Sequence, residues 1–160
     1  MTRLYGWGPT DTRLIECVPH GHWMTTTFLA ALRSTGLTVP LVVDGAMDGA
    51  LFRAWVEQQL APTLRPGDIV VMDNLPAHKV AGVAEAIRAR EAEVLYLPPY
   101  SPDLNPIENL FSKAKGEMRK RQPRTKAECD RLCGESLDWF SPTECRNYFR
   151  HAGYIPQQGN

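Results

Sequence analysis

Ile69-Val70-Val71-Met72 constrains the fold more than any other segment. A continuous apolar run rich in β-branched residues suits a strand covered on both faces, as inside a parallel sheet, and not a half-wetted strand, which would alternate. The Arg65-Pro66-Gly67-Asp68 turn opens it and Asp73 stands at its carboxyl end. Downstream, Val80, Val83, Ala84, Ile87 and Arg88 follow the 3.6-residue period of a helix, and Glu93–Leu97 reads as the next short strand. Strand, helix and strand in this order predict a right-handed βαβ unit and place the chain in the α/β class.

The flanking segments extend that pattern. Arg13–Val18 and Thr25–Leu32 read as strands, although Phe28–Leu32 is equally compatible with a helix; Val39–Val43 is a clearer strand that stops at Asp44-Gly45. Asp48 is placed to cap a helix running to Leu60, with Leu51, Phe52, Trp55, Val56 and Leu60 on one face and Pro62 ending it. Pro98-Pro99-Tyr100-Ser101-Pro102 cannot continue a strand, because proline lacks the ladder donor, so an ordered loop is expected. Asn105 is a natural N-cap and Pro106 a natural first helical residue. That helix is expected to reach Arg121, with Pro123 breaking it before two shorter helices over Lys126–Trp139 and Pro142–His151.

Size and composition exclude several classes. A chain of 160 residues buries roughly two-thirds of its unfolded surface, enough for a core without disulfide or metal staples. Its apolar runs fall far short of the ~20 residues a membrane span needs. Met1–Pro9 lacks the apolar centre of a signal peptide, so a cytoplasmic location with Cys17, Cys129, Cys133 and Cys145 as reduced thiols is expected. Cys129 and Cys133 have no second cysteine pair at zinc-site spacing. The zero net charge hides a split: residues 1–112 carry 8 basic and 12 acidic side chains, residues 113–160 carry 10 and 6. Lys113, Lys115, Arg119, Lys120, Arg121, Arg124 and Lys126 form a run interrupted only by Glu117. Such a run is either a solvated helix face or a nucleic-acid footprint.

Asp73 and Glu108 are the informative pair for chemistry. Asp73 ends a buried strand, at the sheet edge where open α/β folds bind ligands, and Glu108 opens the helix after the next strand, so both can reach one edge. Two hard oxygen ligands suit Mg²⁺, and a carboxylate pair can serve a two-metal phosphodiester cleavage site. The alternative is purely local: Asp73 capping the following helix and Glu108 completing a capping box.

Two stretches add a resemblance. Asp73-Asn74-Leu75-Pro76-Ala77-His78-Lys79 and Leu97-Pro98-Pro99-Tyr100-Ser101-Pro102-Asp103-Leu104-Asn105-Pro106-Ile107-Glu108 resemble the D-N-x-x-x-H and Y-S-P-D-L-N-P-I-E motifs of mariner-like bacterial insertion-sequence transposases of the D-D-E superfamily. The 34 residues between Asp73 and Glu108 match the branch with Glu as third acid. The resemblance runs from about Thr25 to Tyr154. It implies a ribonuclease H-like mixed α/β sheet flanked by helices, with a C-terminal helical tail. It also implies Mg²⁺ (or Mn²⁺) held by Asp73 and Glu108, hydrolysis at transposon ends, and strand transfer into target DNA. Asn74, His78 and Asn105 become supporting or DNA-contacting groups. Lys79, Lys113, Lys115, Arg119, Lys120 and Arg121 become phosphate contacts. The implied partners are transposon inverted repeats, target DNA, and a second copy or an upstream fragment of the same enzyme, in a bacterial, nucleoid-associated setting with no membrane.

The family's first acid stands on the first, central strand of a sheet ordered 3-2-1-4-5. Asp11, Glu16, Asp44 and Asp48 are the available acids here, and none follows an apolar strand as Asp-Glu. Asp44 reads instead as a turn residue beside Gly45. The expectation is therefore a partial catalytic domain over residues 1–122, lacking that strand, and a helical extension over 123–160. A chain without catalysis that binds DNA or pairs with a full-length enzyme is the alternative.

Overall fold

The computed structural model describes residues 7–13, 15 and 25–154. Four strands and five α-helices follow in order: β1 Thr26–Arg33, β2 Gly36–Asp44, α1 Gly49–Trp55, β3 Ile69–Met72, α2 Val83–Arg88, β4 Glu93–Tyr96, α3 Pro106–Arg121, α4 Lys126–Glu135 and α5 Pro142–His151. Thr25–Leu32 is therefore strand and not helix. The strand expected over Arg13–Val18 falls largely outside the described residues, as do Glu16 and Cys17.

β3 and β4 pair in parallel, Ile69 opposite Glu93 and Met72 opposite Tyr96, with α2 lying in the connection between them as a parallel pair requires. β1 and β2 form an antiparallel hairpin. Among the described residues the two pairs are separate sheets. The break falls between β1 and β3, where the expected strand order has its first strand. The Arg33 guanidinium spans that side by donating to the Asp68 carboxylate at 2.9 Å and to the Thr63 carbonyl at 3.0 Å.

The hairpin is a middle layer because its alternate residues point to different cores. Leu29 and Ala31 pack on Phe52, Trp55, Val56 and Leu60 of the α1 segment, together with Met72, Val83 and Ile87. Phe28 and Leu32 face the other way, toward Met118 and Leu132 and toward Leu110, Phe140 and Cys145 respectively. A bulge opposite Ala30 shifts the register between Leu29 and Ala31. There Val39 takes a left-handed φ of 47° and its carbonyl accepts the Trp55 indole N–H at 2.9 Å. Bulges add one residue to one strand and re-aim its side chains, so Leu37 and Val39 serve opposite cores although they are two apart.

Local chemistry explains most boundaries. The Asp48 carboxylate accepts from the Leu51 N–H, Thr125 and Glu128 form a capping box on α4, and Ser141 caps α5. Three segments depart from expectation. α1 ends at Trp55 and the chain continues to Leu60 as π-helix before Pro62 stops it. α2 begins only at Val83, because Gly82 sits at φ 98° and Pro76–Lys79 forms a separate 3₁₀ turn. α4 stops at Glu135 and passes into a 3₁₀ turn over Ser136–Asp138. Cys129, Cys133 and Cys145 are free thiols. Among the described residues no helix is long and apolar enough to cross a membrane.

Candidate active site

The site lies where β3 ends and α3 begins. The Leu97 N–H donates to the Met72 carbonyl at 2.9 Å, carrying the parallel pairing one residue beyond β4 and fixing Asp73 beside the chain that leads into the Pro98–Asn105 loop. A 3₁₀ turn over Pro102–Leu104 then delivers Asn105. Asn105 is 6% exposed, and its side-chain amide donates to Oδ1 of Asp73 at 2.8 Å. Its carbonyl accepts the Glu108 N–H at 3.1 Å. One buried residue thus ties the strand carrying Asp73 to the helix turn carrying Glu108.

Neither acid does local capping work. The 3₁₀ turn after Asp73 has Leu75 at its N-cap with no side-chain cap, and Asn105 has no side-chain cap bond on α3. Glu108, half-buried in the first turn, forms no capping box there, and its carboxylate has no hydrogen bond or ion pair to a described residue. The second oxygen of Asp73 is likewise unpartnered among the described residues. The expected cap by the Asn105 side chain is therefore corrected: the amide is directed to Asp73, which as a carboxylate can only accept.

His78 stands on the same turn. Its Nδ1 lies 2.9 Å from the Asp73 carbonyl, and since a carbonyl only accepts, Nδ1 is the donor of that bond. The ring rests on Phe52 with centroids 4.4 Å apart, and the Tyr96 hydroxyl donates to the His78 carbonyl at 3.1 Å. The Lys79 ammonium lies over the Tyr96 ring at 5.6 Å. Asn74 is half-buried and its side chain has no described partner. Phe52 and Tyr96 were not legible as site residues, because in the sequence each is one apolar residue of a helix or strand.

The basic run divides into two sets. Lys113 pairs with Glu144, Lys120 with Glu117, and Arg121 with Glu135 while stacking on Trp139 at 4.6 Å. The Lys120 partner pulls the Glu117 carboxyl below its ordinary range, and the Lys113 partner does the same to Glu144. Lys115 and Arg119 are exposed and pair with no described residue. Positions 108, 112, 115 and 119 are spaced 4, 3 and 4 along α3, so these two cations share the stripe of Glu108.

The other candidate acids among the described residues are occupied elsewhere or exposed. Asp44 pairs with Lys126 at 3.1 Å, next to Gly45 at φ 94°, which fits its reading as a turn residue. Asp48 caps α1, and Asp11 is exposed. Among the described residues no cluster of three or more His, Cys, Asp or Glu side chains is close enough to share a metal ion.

The fold brings the segments that carry Asp73 and Glu108 together where a parallel strand ends and a helix begins. Residues 1–130 match the DDE superfamily endonuclease family, and the chain belongs to it. The Tcb2 transposase of Caenorhabditis briggsae is 31% identical over 81 residues, 48% of this chain and 30% of that protein, and the Tcb1 transposase of the same organism is 30% identical over the same shares. The chain thus spans about a third of the length of these relatives. Among solved structures, the Mos1 strand transfer complex aligns with 99% of this chain and 48% of its own, at TM-score 0.72 and 17% identity. The catalytic domain of Mos1 mariner transposase aligns with 81% and 73%, at TM-score 0.58 and 16% identity. These matches establish the ribonuclease H-like mixed α/β fold, with small sheets flanked by helices.

Proposed function

We propose that this chain is a catalytic-domain segment of a mariner-like, bacterial insertion-sequence transposase, in which Asp73 and Glu108 hold Mg²⁺, or Mn²⁺ in its place. The observation that carries the proposal is the placement of Asp73 and Glu108 on either side of Asn105, which bonds the carboxylate of one and the backbone N–H of the other, with neither carboxylate capping a helix. Two carboxylates with free oxygens match the preference of Mg²⁺ for hard oxygen ligands and retained waters. When bound there, the metal would supply activation of an attacking oxygen and stabilisation of the leaving one. The transposases of Caenorhabditis briggsae support the assignment by sequence, and Mos1 structures determined with Mg and Mn support the choice of ions by analogy of fold.

The chain's own residues hold the pair in place. Asn105 orients Asp73, and the proline-rich approach stiffens α3 at Glu108. Lys115 and Arg119 extend from Glu108 by about 10 and 16 Å at 1.5 Å per residue, positions suited to successive phosphates of a DNA strand. Lys79, Lys113, Lys120 and Arg121 are secondary contacts in this reading, because each is already engaged within the protein. Residues 1–122 form the partial catalytic unit and 123–160 its helical extension. Transposon ends and target DNA are the substrates, a second copy or an upstream fragment the protein partner, and the bacterial nucleoid the setting.

A second reading is a chain without catalysis that binds DNA or pairs with a full-length enzyme. It is favoured by the engagement of Asp44 with Lys126 and of Asp48 with the N-terminus of α1. Replacing Mg²⁺ by Fe²⁺ and mapping hydroxyl-radical cleavage of the backbone tests the metal assignment. Cuts beside residues 73 and 108 that vanish in Asp73→Asn and Glu108→Gln are expected, and cuts unchanged by both substitutions would refute it. Nicking of end-containing DNA by the wild-type chain, lost in Asp73→Ala, would exclude the second reading.

A further inference from the structure

Asn105 occupies the N-cap position of α3 with extended backbone angles, φ −103° and ψ 106°, and asparagine is among the best capping residues. At the corresponding positions of α1, α4 and α5 the side chains of Asp48, Thr125 and Ser141 all accept a helix N–H. Asn105 alone of these four does not, and its amide reaches instead to a residue 32 positions earlier. Pro106 at the first helical position makes this diversion less damaging, since proline has no N–H to satisfy.

We propose that Asn105 is a positioning residue for the metal-binding carboxylate: it fixes Oδ1 of Asp73, leaves Oδ2 free for a divalent cation, and forgoes the cap of its own helix to do so. The inference rests on the reading of Asp73 and Glu108 as the metal pair. Its structural basis is the 2.8 Å bond from the Asn105 amide to Asp73 Oδ1, made by a buried residue whose carbonyl accepts the Glu108 backbone N–H at 3.1 Å. Groups that orient metal ligands in this way typically change affinity by about 10- to 100-fold when removed.

The discriminating substitution is Asn105→Ser. Serine caps a helix as well as asparagine does, but is too short to reach Asp73. Mn²⁺ alone is titrated into the full 160-residue chain, with bound metal followed by electron paramagnetic resonance and the fold by thermal melting. The expected result is a melting temperature within a few degrees of wild type, as the new cap offsets part of the lost bond, with Mn²⁺ binding weakened by about 10-fold or more. Asn105→Ala is expected to weaken binding similarly and to melt lower. Asp73→Ala should abolish binding and, by removing the acceptor of its NH₂, make the Asn105 side-chain amide exchange faster than in wild type. Binding lost in Asp73→Ala but unchanged in Asn105→Ser would overturn the inference and leave the metal pair standing. Wild-type binding indifferent to Asp73→Ala would overturn both.

Discussion

Leu110→Ala tests whether the position of Glu108 is fastened by the apolar side of α3. Pro106, Leu110, Ala114 and Met118, each four residues from the next, are the buried residues of that helix, and Leu110 is 0% exposed, packed with Ala114, Phe140 and Cys145. The substitution removes three carbons, worth about 2.4 kcal/mol at roughly 0.8 kcal/mol per buried methylene. The cavity left between α3 and α5 raises the expected loss to about 3–4 kcal/mol, inside the range of roughly 2–5 measured for such truncations. For a chain of this size each kcal/mol lowers the melting temperature by about 2–4 °C, so a fall of roughly 6–16 °C is expected. Urea titration gives the free energy and circular dichroism the melt. Ser112→Ala, on the exposed side, should change stability by less than about 0.5 kcal/mol. A loss below about 1 kcal/mol in Leu110→Ala would refute the argument, since the helix would then be held by something other than the stripe packed on α5.

Two further outcomes follow from the charge arrangement. If Lys115 and Arg119 are the phosphate contacts, Lys115→Ala and Arg119→Ala should each lower the slope of log binding constant against log salt by about 1 on duplex DNA, while Lys120→Ala leaves it unchanged; equal effects at all three would refute the division. The Lys113–Glu144–Tyr148 cluster should give stability a pH dependence at both ends. The Lys113 ammonium holds the Glu144 carboxyl below its ordinary range, so its contribution is present above pH ~4.3 and is lost as pH falls through the lowered value. Burial, then the bond to Glu144, pushes the Tyr148 phenol up, so that contribution is present below pH ~10 and is lost as pH rises beyond it. Melting across pH should show Glu144→Gln flattening the acid limb, by at most about 1 kcal/mol for so exposed a pair, and a tyrosinate titration should show Tyr148 moving back toward its ordinary range.

What the sequence revealed and what it hid divide along a physical line. Elements set by short-range chemistry were legible: the β-branched run of β3, the Asp48 and Ser141 caps, the Asn105-Pro106 start of α3 and its stop before Pro123 all stand where local preference puts them. The segments misjudged are those where a distant partner decides. Gly82, a permitted interior residue by periodicity, turns left-handed with the Arg53 guanidinium of α1 lying where a Cβ would stand, so α2 begins only at Val83. Val39, an ideal strand residue, sits in a left-handed bulge where its carbonyl meets Trp55, sixteen residues on. Asn105 is the same case at the site. Every local signal assigns its side-chain oxygen to the N–H groups of the helix it begins, and only the arrival of Asp73 at the end of a strand 32 residues earlier offers its NH₂ a charged acceptor. The motif could show that Asp73, Asn105 and Glu108 belong together; which atom of Asn105 serves which acid depends on how β3, β4 and the proline loop pack. That is also why the basic run could not be sorted by reading it: the partners that occupy Lys113 and Arg121 lie on α5 and α4, and the two cations they leave free are in line with Glu108 only once the run is wound into a helix.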